Sequence, residues 1–380
     1  MKLSFDKDTY SKKILDYMAL AGCMPIKGAE LVGPKITVQR ILRRMKEEGY
    51  AIAYKIPERY LMLSAQGKHK LEEVDSQKYN HFQSIINTIP VGTATKDNIE
   101  KIRKMRRSLQ QAKILILLDS LGVRCWEYEK PELSLVNPAI IPSKKNLYYT
   151  SIEIKAIDDY EHKNKISHTR AYGLISSPGG IYCVYHVGNG KMEWNKYGEA
   201  KIVNHLEVVL GQNSEKKGKA SVRQAIIYVN SYNGLANILN QSESGNKKQQ
   251  YELFSFDNIY KNLYFIPTNL HGKVVTQLLL MKNHHQLIMR YLYDDSYEIP
   301  KNSSVDCDAI KDGEYFFSFL ECDVSRLKRF KMAMSFYNKE KFHVTCFEWQ
   351  YETLKEYLPE ECNISVADEI KLLEMMLEDD

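Results

Sequence analysis

Apolar residues recur at the helical period over residues 8–48 and predict three helices. The first follows a capping Asp8, ends at Gly22, and has an apolar side formed by Tyr10, Ile14, Leu15, Tyr17 and Met18. Pro25 opens a short second helix over residues 26–31. The third helix spans about 35–48, and its apolar positions are Ile36, Val38, Ile41, Leu42 and Met45.

Beyond Gly49 the period changes to two, which predicts a β-hairpin from residues 50–54 and 60–63 around a turn at 55–59. Residues 64–67 then lead into a helix over 68–74. Three helices, a hairpin and a further helix follow the order of a winged helix-turn-helix domain, which we place at residues 1–76. The segment LMLSAQGKHKLEE resembles the strand, Leu-Thr-x-x-Gly and helix that close many bacterial winged-helix domains.

The third helix is the element of such a domain that reads DNA. Its predicted solvent face carries Lys35, Thr37, Gln39, Arg40, Arg43 and Arg44, and the hairpin tip adds Lys55 and Arg59. Long cationic side chains contact phosphates, while Arg and Gln can make bidentate contacts with guanine and adenine in the major groove. We therefore expect binding of double-stranded DNA; the alternative is a winged helix that serves protein contacts.

The rest of the chain predicts an α/β multidomain protein. Residues 77–97 lack a clear period and contain Pro90-Val91-Gly92-Thr93, which predicts a linker. A helix with a basic first half begins a middle domain over 98–298, in which strands and helices alternate. The basic half is either a second phosphate-contacting patch or a solvated face. Residues 147–155 are predicted as a strand that ends in Glu153-x-Lys155, a tripeptide found in metal-dependent nucleases and common elsewhere.

The amino-acid composition adds little evidence for or against nucleic-acid binding, membrane insertion or disulfide bonds. The 53 Lys and Arg residues against 48 Asp and Glu residues give a net charge of +5, too small to argue for nucleic acid without clustering. The chain has no apolar run of about 18 residues, and its first residues lack the apolar stretch of a secretory signal. Seven scattered cysteines without a CxxC pair indicate free thiols in a reducing cytoplasm.

The segment 299–380 carries an ordered set of polar residues. Asp308 precedes a strand predicted over 314–323, which ends in Glu321-Cys322-Asp323, and a basic helix over 325–337 follows with Ser325, Lys331 and Tyr337. This order resembles the replication-relaxation family of Gram-positive plasmids and integrative elements. That family pairs an N-terminal winged helix with a restriction-endonuclease-like C-terminal segment. The resemblance covers the first 75 residues and 305–358.

The resemblance implies a metal site formed by the carboxylates of Asp308, Glu321 and Asp323, which could hold Mg²⁺ and activate water. Asp323 stands where active nucleases of this fold usually keep Lys, so Lys331 or Lys328 would have to replace that cation. Otherwise the chemistry has been lost, and the carboxylates form ion pairs with Arg326, Lys328 and Arg329. His284-His285, near Asp294-Asp295 in the sequence, lacks metal-ligand spacing and is expected to be a surface feature.

Three functions remain open at this point. The first is a non-catalytic, sequence-specific DNA-binding protein of a plasmid or integrative element, without a cofactor, acting in replication, conjugative transfer or their control. Its α/β part would form a homodimer or bind replication or transfer proteins. The second is a Mg²⁺-dependent DNA endonuclease targeted by the winged helix, and the third is a ligand-sensing transcription regulator. No P-loop, GxGxxG or Ser-His-Asp signature is present.

Overall fold

The computed structural model describes residues 3–87, 89, 98–133, 144–156, 169–188, 196–212, 222–243, 259–301 and 303–379. Within these residues the fold is mixed α/β, with three β-sheets. The chain forms two units: Met1–Pro131 with Thr268–Lys273, and Glu132–Pro267 with Val274–Asp380. None of the described helices combines the length and the apolar character needed to cross a bilayer.

The first unit is mainly helical and contains one small antiparallel sheet, with strand order β1-β3-β2. Its elements are α1 (Tyr10–Ala21), β1 (Met24–Pro25), a 3-10 turn (Ala29–Leu31), α2 (Lys35–Glu47), β2 (Ala51–Tyr54), β3 (Tyr60–Leu63), α3 (Ala65–Val74), α4 (Ser76–Ile86) and α5 (Ile99–Asp119). Its core includes Ile14, Leu15, Met18, Val38, Leu42, Met45, Leu61, Leu71, Phe82, Met105 and Leu109.

The start of this unit differs from the predicted helices in two places. Thr9, and not Asp8, caps α1, because its Oγ1 accepts a hydrogen bond of 3.2 Å from the Lys12 amide. The predicted helix over 26–31 is wrong except for the 3-10 turn at its end. Met24 and Pro25 are instead extended and pair with β3, and the Ile26 amide donates to the Arg59 carbonyl at 3.1 Å. Strand pairing therefore satisfies backbone groups that a helix would have used.

The linker predicted over 77–97 is wrong for its first ten residues, which belong to α4. Asp75 caps this helix by accepting a hydrogen bond of 3.1 Å from the Lys78 amide. Phe82 and Ile86 are buried, and α4 packs against α1 and α3. Only two strongly buried apolar positions define this helix, so its sequence lacked a clear period. Pro90-Val91-Gly92-Thr93 lies outside the described residues.

Helix α5 belongs to the first unit and not to a separate domain over 98–298. Its second half, residues 112–118, is buried without interruption. The buried Lys113 forms an ion pair of 2.8 Å with Glu58 of the hairpin turn, and Asp119 accepts a hydrogen bond from Tyr17 of α1. The second unit likewise groups residues on both sides of the predicted boundary at 298/299.

The second unit contains two sheets that are built in the same order. The first has strand order β4-β5-β6-β7-β8, from β4 (Leu147–Thr150), α6 (Ser151–Lys155), β5 (Gly173–Ser177), β6 (Gly180–Gly188), α7 (Lys196–Gln212), β7 (Gln224–Val229), α8 (Leu235–Glu243) and β8 (Asn262–Pro267). Helix α9 (Leu270–Leu280), whose first residues are grouped with the first unit, and helix α10 (His284–Leu292) follow. The second has order β12-β11-β10-β9, from β9 (Ala309–Lys311), β10 (Glu314–Ser318), α11 (Val324–Ala333), β11 (Phe342–Phe347), α12 (Glu348–Tyr357), β12 (Asn363–Ala367) and α13 (Glu369–Asp379).

Each sheet contains an antiparallel hairpin followed by two helix-linked parallel strands. The hairpin β5-β6 with β7 and β8 thus corresponds to the hairpin β9-β10 with β11 and β12. The sheets meet where the Phe265 amide of β8 donates to the Cys322 carbonyl at 3.0 Å. This contact places the segment after β10, which carries Glu321 and Asp323, against an edge strand of the first sheet.

Two sequence predictions in this unit are corrected by the structure. The strand predicted over 147–155 ends at Thr150, where Thr150 and Glu153 form a capping box for α6, so Glu153-x-Lys155 is helical. The strand predicted over 314–323 ends at Ser318.

Gly67 permits the close contact between α3 and the start of the hairpin. A Cβ at this position would lie 2.0 Å from the Tyr50 carbonyl oxygen, a backbone atom that cannot move aside easily. Although Gly→Ala normally stabilises a helix interior, we expect Gly67→Ala to destabilise the protein by about 2–4 kcal/mol. Urea unfolding should show this, with the exposed neighbour substitution Gln66→Ala changing stability by less than about 0.5 kcal/mol. A neutral or stabilising effect of Gly67→Ala would contradict the packing.

Asp119 makes stability depend on pH. Burial raises its pKa from 3.8 to about 6, despite the hydrogen bond from Tyr17. The folded state therefore holds the proton of Asp119 more tightly than the unfolded state does. The contribution of Asp119 to the free energy of unfolding falls as pH rises from 3.8 to about 6. Asp119→Asn should therefore raise the free energy of unfolding at pH 7.5 by about 1–2 kcal/mol, with little gain near pH 4. Denaturant titrations at both pH values test this, with the exposed Asp295→Asn as control; an equal effect at both would refute it.

Candidate nucleic-acid interface

Helix α2 has one buried side and one polar side. Val38, Leu42 and Met45 are at most 4% exposed and anchor the helix in the core of the first unit. The opposite side exposes most of the side chains predicted to read DNA, namely Lys35, Thr37, Gln39, Arg40 and Arg43. Burial of the apolar side therefore fixes a solvent-facing surface of cations, an amide and a hydroxyl, which we call the α2 face.

The two arginines in the second half of α2 differ in how they are held. Arg44 is half-buried, and its guanidinium bonds to the Glu48 carboxylate at 2.6 and 3.1 Å. The Leu3 amide also donates to Glu48 at 3.0 Å, and both contacts lower the pKa of that carboxyl. Arg43 pairs with Glu47 at 3.2 Å, but both side chains are more than half exposed. An exposed pair is worth little, so Arg43 can exchange Glu47 for a phosphate, whereas Arg44 cannot do so as readily.

Ile36 departs from its predicted position in the core. It lies in the first turn of α2 and is 75% exposed, between exposed Lys35 and Thr37. The sequence placed Ile36 on the apolar side because the apolar residues Val38 and Ile41 lie two and five positions after it. In the structure the buried positions are 38, 42 and 45, so residue 36 lies on the opposite side of the helix from Val38.

The hairpin β2-β3, which follows α2 in the sequence, carries further cations. Lys55 and Arg59, both predicted as phosphate contacts, are exposed in the turn between the two strands. Glu58 in the same turn is directed to Lys113 of α5, which removes a negative charge from the turn surface. The basic first half of α5 is also exposed, at Lys101, Arg103, Lys104 and Arg106. Lys104 pairs with Glu100 at 2.7 Å, as expected of a solvated helix face.

The carboxylates predicted to bind a metal are only partly brought together. Asp308 and Glu321 each have an oxygen 3.7 Å from a ring nitrogen of His285, so these two lie close. Asp323 instead caps α11, accepting from the Ser325 amide at 3.0 Å and the Arg326 amide at 3.2 Å. Asp323 also accepts a hydrogen bond of 2.6 Å from the side-chain amide of Asn262 in β8. Burial raises the pKa of Asp323 to about 6.

The cation at this cluster is Arg326 and not the predicted Lys331. The guanidinium of Arg326 contacts Asp308 at 2.6 Å and Asp306 at 3.1 Å. Lys331, on the same helix as Arg326, lies 3.7 Å from the ring centre of Tyr357 at the end of α12. Tyr337, matched to the family pattern, contacts Ser304 at 3.0 Å. Within the described residues no group of three or more His, Cys, Asp or Glu side chains is arranged to hold a metal ion.

His284 and His285 belong to this cluster, although the sequence suggested only a surface feature. His284 Nε2 lies 3.2 Å from Glu321, and its Nδ1 lies 3.2 Å from the Met281 carbonyl. Burial opposes ionisation of Glu321, but hydrogen bonds from both histidines lower the pKa of its carboxyl group. The hydrogen bond to Glu321 in turn raises the pKa of His285. The sequence neighbour Asp294 bonds to Ser296 instead, so proximity along the chain pointed to the wrong partner.

The ion pairs of this cluster differ in how deeply they are buried, because the Arg326–Asp308 pair is buried and Arg329 is exposed. Replacing Arg326 by Ala would leave Asp308, which is 4% exposed, without its charged partner. We expect Arg326→Ala to lower the free energy of unfolding by about 3–5 kcal/mol. The matched substitution Arg329→Ala, at a 42% exposed side chain paired with Asp306, should cost less than about 1 kcal/mol. Chemical denaturation compares the two; equal effects would show that the Arg326 pair is not a buried structural contact.

Comparison with known proteins yields no match to this chain among family models, curated proteins or solved structures. The resemblance to the replication-relaxation family therefore stays a prediction from the sequence.

Proposed function

We propose that the first unit binds double-stranded DNA as a winged helix-turn-helix, with α2 as the recognition helix. The observation that carries this proposal is the α2 face, where five predicted reading residues are exposed on a helix whose other side is buried. The order of elements supports it: α1, the 3-10 turn and α2 precede the hairpin β2-β3, and β1 completes a small sheet. In such domains the recognition helix lies in the major groove.

The chemistry of the α2 face matches what the major groove offers. Gln39 can make bidentate contacts with adenine, and Arg40 or Arg43 with guanine. Lys35 lies at the amino end of α2, where the helix dipole also favours a phosphate. Each group is a donor on a rigid helix, so the face can hold bases and phosphates in one register. These contacts support sequence-specific binding rather than charge attraction alone.

The hairpin turn supplies the second contact of the proposed interface. Lys55 and Arg59 are exposed there, as the wing of a winged helix requires for contacts with a neighbouring phosphate. Glu58 would repel DNA if it faced outward, but it is paired with the buried Lys113. The hairpin turn therefore presents the positive charges of Lys55 and Arg59, while the charge of its one carboxylate is neutralised by Lys113.

We assign the second unit to assembly or partner binding in the first of the three functions considered from the sequence. Its carboxylates are engaged by Arg326, by the two histidines and by the start of α11, which favours a structural role over metal-dependent cleavage. A role in plasmid or integrative-element replication, conjugative transfer or their control follows from the family resemblance and stays a prediction.

The α2 face is tested by single substitutions that differ in exposure. Arg40→Ala should weaken binding to duplex DNA by about tenfold or more and reduce the salt slope by about one. Arg44→Ala should weaken it less, because Glu48 already holds that guanidinium. Fluorescence anisotropy of a labelled duplex, titrated at several salt concentrations, measures both quantities.

Lys341→Ala, at an exposed cation of the second unit, controls for the loss of one charge. It should bind like the wild type. If the wild type binds no duplex, or if Arg40→Ala and Lys341→Ala bind equally well, α2 is not the reading element.

A further inference from the structure

The α2 face contains one apolar side chain that the fold does not use. Ile36 is 75% exposed, whereas Val38, two residues on, is completely buried. Ile36 lies in the first turn of α2, the end of a recognition helix that contacts base edges in helix-turn-helix complexes. Single exposed apolar side chains are common on protein surfaces, and what distinguishes Ile36 is its place in the first turn of α2, among the exposed residues of the α2 face.

The neighbours of Ile36 indicate what that contact is. On a helix, residues three and four positions apart are adjacent, so Ile36 lies beside Gln39 and Arg40. Lys35 and Thr37 flank it along the chain, and all four neighbours are exposed. An apolar pocket of a partner protein would have to bury these polar groups together with Ile36. The major groove of DNA accommodates both kinds of group, because it displays hydrogen-bonding edges and one apolar group, the C5-methyl of thymine.

We propose that Ile36 reads a thymine methyl group in the major groove and is a specificity-determining residue of this protein. The inference rests on the proposed function and adds the base that the first turn of α2 selects. Gln39, one turn along, can pair with the adenine of a neighbouring A·T pair, so the two side chains together would select an A·T-containing step. The recognised site should therefore contain thymine where the amino end of α2 meets the groove.

The test removes each partner of the proposed contact in turn, the thymine methyl group from the DNA and the Ile36 side chain from the protein. Duplexes bound by the wild-type chain are first selected from random DNA, and each thymine in the selected site is then replaced singly by deoxyuridine. One replacement should weaken wild-type binding by about three- to fivefold, the effect of one buried methyl group. Ile36→Ala should weaken binding to the thymine duplex by a similar or larger factor and should be insensitive to that replacement.

The control is Ile370→Ala, which changes an isoleucine that is 68% exposed on α13 of the second unit. It should keep the wild-type response to deoxyuridine. Ile36→Ala is expected to fold, because Ile36 is exposed and Ala is the better helix former. If Ile36→Ala responds to every thymine replacement as the wild type does, the inference is wrong while DNA binding stands. If the wild type selects no duplex at all, the proposed function itself fails.

Discussion

The burial of Val38, Leu42 and Met45 determines which surface of the first unit is available to a ligand. Each fully buried side chain of this size contributes about 1.5–3 kcal/mol, more than an exposed ion pair on the same helix can offer. The orientation of α2 is therefore set by its apolar side, and the cations follow. Gly67 and the pair between Lys113 and Glu58 then hold the hairpin and α5 to the same core.

The helices and the hairpin of the first unit were predictable because their apolar residues follow a strong local period. The exceptions have specific causes. Residues 24–25 pair with β3, a contact that no local pattern contains, and this replaced most of the predicted second helix. Helix α4 has only Phe82 and Ile86 as strongly buried positions, so the sequence showed no period there. Ile36 was placed in the core because it is apolar and lies among other apolar residues of the helix. The sequence alone does not show which side of the helix packs against the core.

The second unit shows the limit of reasoning from spacing more clearly. In the structure Asp308 and Glu321 both lie near His285, and Arg326, one of the cations named as an alternative partner, pairs with Asp308. The family resemblance gave Asp323 a shared role because it matches the Asp of the family's Glu-x-Asp pattern. In the structure the chain turns into α11 at that point, so the carboxylate serves the amino end of the helix. His284 and His285 reach Glu321 through tertiary packing, which a single sequence does not encode at short range.

The charged cluster of the second unit lies where its two sheets meet. The segment after β10 lies against β8, and buried carboxylates at such a junction need partners from several elements. Asn262 comes from β8, His284 and His285 from α10, and Arg326 from α11. A cluster satisfied in this way stabilises the junction between the two sheets.

We propose that α2 occupies the major groove of double-stranded DNA, and the proposed function depends on this placement. Dimethyl sulfate probing of a selected duplex tests it directly, because the reagent methylates guanine N7 in the major groove and adenine N3 in the minor groove. The bound protein should protect guanine N7 within its site. Protection confined to adenine N3, or no protection on a duplex that the protein binds, would contradict the claim.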